Sequence, residues 1–323
     1  MNDHKPCPIC GGTDRFYLIT APHDGNDPYW RCRRCDYTEP DADSAGGDAP
    51  EAAPRQVYDP DTIAAIYRAY AAVAERAAAA LWRAEGRQAL AYLRQRGVSD
   101  ATIRDLKLGW TGDGAELLST VWHADTGRVD PNRCRYDPRS DYDMMAVGGL
   151  RKGGAPRQIL KDAITIPYGV GGACVLIRSR KLRPRAGEPK YLSPAGPMYA
   201  TGTPRLYLAD DMAGADAVIV TEGEFKALIA RQEWRAGRSP YPCGATPGAA
   251  YWPDAFTEAL TGKTVYLAFD NDANGAGQAA QRKIAEKLRQ SGIAVKLITL
   301  PRRAGEAKID LDRYVLEARH AAS

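Results

Sequence analysis

Two short apolar runs, each ending in acids and each followed by a helical pattern, most restrict how this chain can fold. The first reads AVIVTEGEFKAL (217–228) and the second TVYLAFDNDANG (264–275). Both are rich in Val, Ile and aromatic residues without polar alternation, the pattern of strands buried on both faces of a parallel sheet. Glu222 closes the first run, and Asp270 and Asp272 follow the second. A third segment, KIDLDRY (308–314), adds Asp310 and Asp312. In an open α/β sheet, ligands bind beyond the carboxyl ends of the strands. Acids gathered there repel one another unless a cation neutralises them, and bare carboxylates suit a hard ion, Mg²⁺ or Mn²⁺. That is the ground plan of a metal-dependent phosphoryl-transfer site. The plain alternative is that acids after strands only cap turns and helices.

The N-terminus carries a different constraint. Cys7-Pro-Ile-Cys10 and Cys32-Arg-Arg-Cys35 are two C-x2-C knuckles with 21 residues between them. Each knuckle offers two thiolates, and together they make the tetrahedral set of a structural Zn²⁺. A redox C-x-x-C is the rival, but two pairs at ribbon spacing point to zinc. So small a segment has little core, and the metal supplies its folding energy. Trp30, Arg31, Arg33 and Arg34 lie around the second knuckle. Rings and guanidinium groups interleaved in this way suit single-stranded nucleic acid, whose bases stack and whose phosphates pair. The competing role for nearby aromatics such as Phe16 is the ribbon's own small core.

The chain has 323 residues, 44% of them apolar, and a net charge of +4. That is enough for several domains, and any basic footprint must be local. The start MNDHKPCPIC has no apolar signal region, and no stretch approaches the roughly 18 apolar residues of a membrane span. A soluble, cytoplasmic protein is expected, with no membrane partner. Residues 41–57, rich in Ala, Pro, Asp and Gly, read as a flexible linker. An alanine-rich helix is expected from about 61 to 84, a second at ALAYLRQRG (89–97), and a third capped by Ser99. Residues 110–200 read as short strands and turns. Within them Arg178, Arg180, Lys181, Arg183, Arg185 and Lys190 stand against one Glu188, a basic patch or else an ordinary solvated loop. Two decoys fail. Thr261-Gly-Lys-Thr264 lacks the first glycine of a phosphate loop and precedes a strand; the run from Asp270 has Gln281 where a calcium loop needs Glu.

Several segments, in order, resemble the DnaG-type primases of bacteria and phages. ALAYLRQRG is similar to the "YLxxRG" opening of their polymerase core. TIP (165–167) with VLIRSR (175–180) resembles a strand pair, and PKYLSP (189–194) resembles "PKYLNSPE". VTEGE (220–224) and FDND (269–272) match the "VEG" and "YDGD" motifs of the Toprim domain, and KIDLDRY is similar to the trailing "DPDEY". The resemblance implies an α+β and α/β multidomain chain: zinc ribbon 1–40, linker 41–57, mixed basic subdomain 58–203 and Rossmann-like Toprim domain 204–323. It implies a DNA primase, a DNA-directed RNA polymerase making short RNA primers on single-stranded DNA from nucleoside triphosphates. The cofactors implied are structural Zn²⁺ and catalytic Mg²⁺ or Mn²⁺.

Carried onto this chain, Glu222, Asp270, Asp272 and Asp310 hold metal and catalyse, with Asp312 nearby as a further metal ligand. Arg178, Arg180, Arg183, Lys190 and Tyr191 contact template or nucleotide. Two departures stand out. The four-cysteine ribbon is commoner in phage-type primases, which suggests phage or mobile-element replication. The family often has an acid four residues after the Toprim glutamate, where this chain has Lys226; Glu224 is the acid at hand to replace it. The chain reaches Ser323 soon after the Toprim-like region, so a replicative hexameric helicase is expected on a separate chain. Two other classes compete: a Toprim nuclease or recombination mediator, and a non-catalytic adaptor for single-stranded DNA and helicase.

Overall fold

The computed structural model describes residues 4–5, 16–19, 29–32, 38–40, 59–119, 144–145, 148–152, 155–185, 188–194, 205–248 and 251–321. The chain divides into two units. One comprises 1–85, 109–167 and 174–202, the other 86–108, 168–173 and 203–323.

The first unit opens with four antiparallel strands, β1 (His4–Lys5), β2 (Phe16–Ile19), β3 (Tyr29–Cys32) and β4 (Thr38–Pro40), in that order. Cys32 is the last residue of β3 and pairs in register with Phe16. Cys7, Cys10, Cys35, Arg33 and Arg34 lie outside the described residues; Trp30 and Arg31 lie on β3. Helix α1 (Pro60–Leu81) then starts where Asp59 accepts a hydrogen bond from the Thr62 amide and Pro60 fits the first turn. Its face of Ile66, Ala69, Tyr70, Val73 and Ala77 is buried with Met144, Leu150, Leu160 and Ile177. The Tyr70 hydroxyl donates to the Gly148 carbonyl at 2.7 Å.

The next two helices, α2 (Arg87–Gln95) and α3 (Asp100–Asp105), belong to the second unit, although in sequence they interrupt the first. The Ser99 side chain caps α3 by accepting from the Thr102 amide. The first unit resumes with β5 (Gly109–Trp110), which lies so close to α1 that a Cβ on Gly109 would come within 2.4 Å of the Ala77 backbone. It continues through α4 (Ala115–Ser119), β6 (Arg151–Lys152), β7 (Ala155–Pro156), the hairpin β8 (Ala163–Val170) and β9 (Ala173–Lys181), and β10 (Tyr191–Leu192). These strands include a sheet in the order β10-β9-β8-β5. The hairpin tip, 168–173, groups with the second unit.

The remaining elements are α5 (Ala209–Met212), β11 (Ala217–Glu222), α6 (Glu224–Arg235), β12 (Cys243–Thr246), α7 (Asp254–Ala259), β13 (Thr264–Ala268), β14 (Asn271–Asp272), α8 (Ala276–Gln290), β15 (Ala294–Leu297), β16 (Lys308–Ile309) and α9 (Leu311–Ala321). Strands β12-β11-β13-β15 form a wholly parallel sheet. Val218, Val220, Val265, Leu267 and Phe269 are buried with Phe256, Ile284 and Leu288, as continuous apolar strands between helices require. Cys243 is buried in this sheet, and burial pushes its thiol well above the ordinary range. From β11 the chain crosses to β12 on one side, then to β13 on the other. The order therefore reverses between β11 and β13, and a crevice opens at their carboxyl ends. Among the described residues no helix is long and apolar enough to cross a membrane.

Candidate functional site

Glu222 is the last residue of β11. Parallel pairing sets Thr221 beside Ala268, and the Thr221 hydroxyl donates to the Ala268 carbonyl at 2.7 Å. Glu222 and the Phe269-Asp270 step therefore leave the sheet at one level, at the reversal point. The turn after Glu222 uses Gly223 at φ +82°, a conformation that side chains resist, before α6 begins.

Two further connections complete the cluster. Strand β14 pairs antiparallel with β16, so Asp272 stands opposite Lys308 and Asn271 opposite Ile309. This two-residue ribbon brings Asp310 to the strand ends, although 38 residues separate Asp272 from it in sequence. Helix α8 presses on the same segment. A Cβ on Gly277 would come within 2.2 Å of the Asp270 carbonyl oxygen, so only glycine allows this approach. Gln278 donates to Asn271 and to the Asp272 carbonyl, and buried Gln281 donates to the Leu267 and Ile298 carbonyls. The acids thus stand on a segment fixed from both sides.

Two of these acids, Asp270 and Asp272, face lysines. Asp270 is 2% exposed. Lys226 Nζ lies 2.6 Å from its Oδ1 and 2.8 Å from its Oδ2. Lys308 pairs with Asp270 Oδ2 and lies 3.8 Å from Asp272 Oδ1. Glu224, the other acid expected near this position, is buried and accepts a hydrogen bond from the Tyr168 hydroxyl at 2.7 Å. That contact ties the hairpin tip to α6 within the second unit and occupies Oε1 of Glu224.

The remaining acids differ sharply in environment. Burial raises the Glu222 carboxyl above the usual range; Asp270 and Asp272 push the same way, while Lys226 and Lys308 oppose. Asp310 is raised first by burial and then by the charge and hydrogen bond of Asp312. Asp312 moves the other way. Burial alone would raise it, but the hydrogen bonds from Arg96 and Asp310 and the Arg96 charge hold it below the usual range. The Arg96–Asp312 pair is 2.6 Å long and buried on the aspartate side. Arg96 also donates to Tyr92 at 2.8 Å and stacks 4.7 Å above the Phe225 ring. Asp312 thus joins α2 and α9 through its Oδ2, while its buried Oδ1 has no hydrogen-bond partner among the described residues. Arg231 ties the same region together, pairing with Asp211 at 2.5 Å and Asp105 at 2.7 Å.

Divalent metal can be tested against this arrangement. Glu222, Asp270, Asp272 and Asp310 are hard oxygen donors of the right kind. As arranged they do not make a cage: among the described residues, no three His, Cys, Asp or Glu side chains converge on a metal position. Asp270 is already neutralised by ammonium groups.

The basic residues form a second assembly, in the first unit. Strands β9 and β10 pair with Tyr191 opposite Arg180 and Leu192 opposite Ser179. Arg178 and Arg180, two residues apart on β9, share one face of the strand. Their guanidinium carbons lie 5.6 and 5.9 Å from the Tyr191 ring centre. Arg178 is buried and donates to Ser193 at 3.1 Å. Lys181 pairs with Glu188 at 2.8 Å, while Arg183 and Lys190 are exposed. The structure thus gathers Arg178, Arg180 and Tyr191 into an ordered face, where composition left a solvated loop equally open. Lys263, from the rejected phosphate-loop look-alike, donates to the Ala213 and Ala215 carbonyls.

Sequence reasoning missed Lys308 and Arg96 as site residues, and the Lys226–Asp270 pair. One signal was available: Lys226 lies in the first turn of α6, where the helix dipole disfavours a cation.

Comparison with solved structures identifies the fold. The chain is similar to the Aquifex aeolicus primase, zinc-binding and RNA polymerase domains, at 18% identity over 98% of this chain and 75% of that one, with a TM-score of 0.59. It is similar to a DnaG primase catalytic domain bound to single-stranded DNA, at 20% identity over 81% of this chain and 79% of that one, TM-score 0.61. It is also similar to the RNA polymerase domain of Mycobacterium tuberculosis primase DnaG, at 20% identity over 80% of each chain, TM-score 0.60. No protein-family model and no curated protein matches the chain. The protein has the fold of the primase catalytic core, a mixed α/β architecture.

Proposed function

We propose that the protein is a DNA primase that synthesises short RNA primers on single-stranded DNA. One observation carries the reading: within a primase catalytic-core fold, Glu222 ends the strand beside the one that leads to Asp270, at the reversal point of a parallel sheet, and a two-residue ribbon pairs the Asp272 segment with the one before Asp310. Mg²⁺ or Mn²⁺ supplies the charge that neutralises the triphosphate when bound. The chain's own residues do the rest. Glu222 binds metal or acts as the general base for the attacking 3′-hydroxyl. Asp272 and Asp310 are the acids for the metal-bearing nucleotide. Lys226 and Lys308 pair with the buried Asp270 carboxylate and fix its direction.

Arg178, Arg180 and Tyr191 bind nucleic acid, the guanidinium groups meeting phosphates and the ring offering a stacking face. Arg183 and Lys190 extend the same charge. A Toprim domain at 204–323 and a zinc ribbon at 1–40, with Zn²⁺ on Cys7, Cys10, Cys32 and Cys35, belong to this reading. Trp30, Arg31, Arg33 and Arg34 are its further contacts with template. The four-cysteine ribbon supports a phage or mobile-element setting, with a replicative hexameric helicase as separate partner.

The test is primer synthesis on single-stranded DNA of varied sequence with labelled nucleoside triphosphates and Mg²⁺ or Mn²⁺. Short products that require template and divalent ion are expected. DNA cutting without nucleotides would identify a nuclease instead. Binding without synthesis in either metal would identify an adaptor.

A further inference from the structure

The acidic cluster carries its own cation. Lys226 spans both oxygens of Asp270 at 2.6 and 2.8 Å, with its side chain 12% exposed. It projects from the first turn of α6, where a positive charge runs against the helix dipole, so the position is held by its carboxylate partner. Asp270 in turn cannot retreat: it is buried, and α8 closes over its backbone at Gly277. Lys308 differs. Its side chain is 43% exposed and stands on a two-residue ribbon, so it can turn to water when another cation arrives.

We infer that Lys226 is a fixed stand-in for a divalent ion at Asp270, so that the protein alone holds no metal there and the ion enters with the triphosphate. Three observations support it together. The ammonium lies within 2.8 Å of both carboxylate oxygens, so a metal ion bound at Asp270 would meet its charge at close range. No three acids converge among the described residues. Glu224, the acid two residues from Lys226 on the same helix, has its Oε1 held by Tyr168. Mg²⁺ in nucleotide-transferring sites is commonly held by one or two carboxylates plus substrate phosphates, and Asp272 and Asp310 meet that need. An ammonium also offers donors that a phosphate oxygen can accept once Lys308 has moved.

The inference rests on the site being one for nucleotidyl transfer, but its test does not use that activity. Free Mn²⁺ is titrated by electron paramagnetic resonance into the full chain without nucleotide or template. Lys226→Gln, Lys226→Glu and Lys308→Gln are compared with the parent, and each fold is checked by circular dichroism. Lys226→Gln should bind Mn²⁺ at least about tenfold more tightly than the parent, and Lys226→Glu more tightly still, because a repelling charge becomes neutral and then attractive. Mg²⁺ should raise the melting temperature of Lys226→Gln and leave that of the parent unchanged. Lys308→Gln should change Mn²⁺ affinity less than Lys226→Gln. Equal affinity in parent and Lys226→Gln overturns the inference. So does tight nucleotide-free binding by the parent, whether or not the variants fold. Failure of primer synthesis would leave these ion affinities unchanged, so the two ideas fail separately.

Discussion

The basic face and the acidic cluster are built by opposite means. Arg178, Arg180 and Tyr191 lie within 14 residues of sequence and are gathered by the pairing of two neighbouring strands. The acidic cluster draws on Arg96, Glu222, Lys226, Asp270, Asp272, Lys308, Asp310 and Asp312, joined only when a parallel sheet, a ribbon and three helices are complete. On the proposed function each arginine of the first meets its own phosphate, so that face should tolerate change piecemeal. The second holds buried charges whose partners come from distant elements, so removing one leaves another uncompensated. A nucleic-acid grip can thus be local, whereas a site for chemistry depends on the whole fold.

The contrast can be broken most sharply at Asp272. Asp272→Asn keeps the ribbon hydrogen bonds and should lower primer synthesis by about a hundredfold or more, with template binding intact. Primer-yield and fluorescence-anisotropy assays on the same preparation check this. Arg96→Met comes next. It leaves Asp312 buried and unpaired and should cost about 3 kcal/mol of stability, read as a lower urea midpoint.

That cost also has a pH signature. The folded value of Asp312 is depressed, so its contribution is present above the unfolded carboxylate value and is lost as pH falls through the folded one. The stability difference between parent and Arg96→Met should therefore shrink in acid. Smaller effects are expected on the basic face. Arg180→Ala should weaken template binding several-fold and reduce the slope of log affinity against log salt by about one.

The smallest effect has the opposite sign. The folded Glu222 value is raised, so its contribution is present below the unfolded value and is lost as pH rises through the folded one. Above the folded value the charge costs stability, and there Glu222→Gln should melt roughly 1–3 °C higher while losing synthesis. A lower melting temperature would show that the cluster is not strained by its own charge.

Much of this was legible in the chain. The apolar runs at 217–221 and 264–268 announced parallel strands, and acids directly after them had to stand at the strand ends. The Ser99 cap was equally plain, because its signal is local. The compensating cations were not. Lys226 meets Asp270 across 44 residues, Lys308 across 38, and Arg96 meets Asp312 across 216. No periodicity encodes such pairs, since they exist only after the sheet order is fixed. Asp312 shows the consequence: beside Asp310 it reads as a second ligand, and only the fold places Arg96 against it. Gly277 is similar, its need for a bare Cα appearing only when α8 meets the Asp270 carbonyl.

The measurement that bears most directly on the account is primer yield against template concentration for Arg180→Ala and Asp272→Asn beside the parent. The account predicts that saturating template restores Arg180→Ala close to the parent and leaves Asp272→Asn without product. Product from Asp272→Asn at the parent's level would contradict the assignment of the acidic cluster to nucleotidyl transfer.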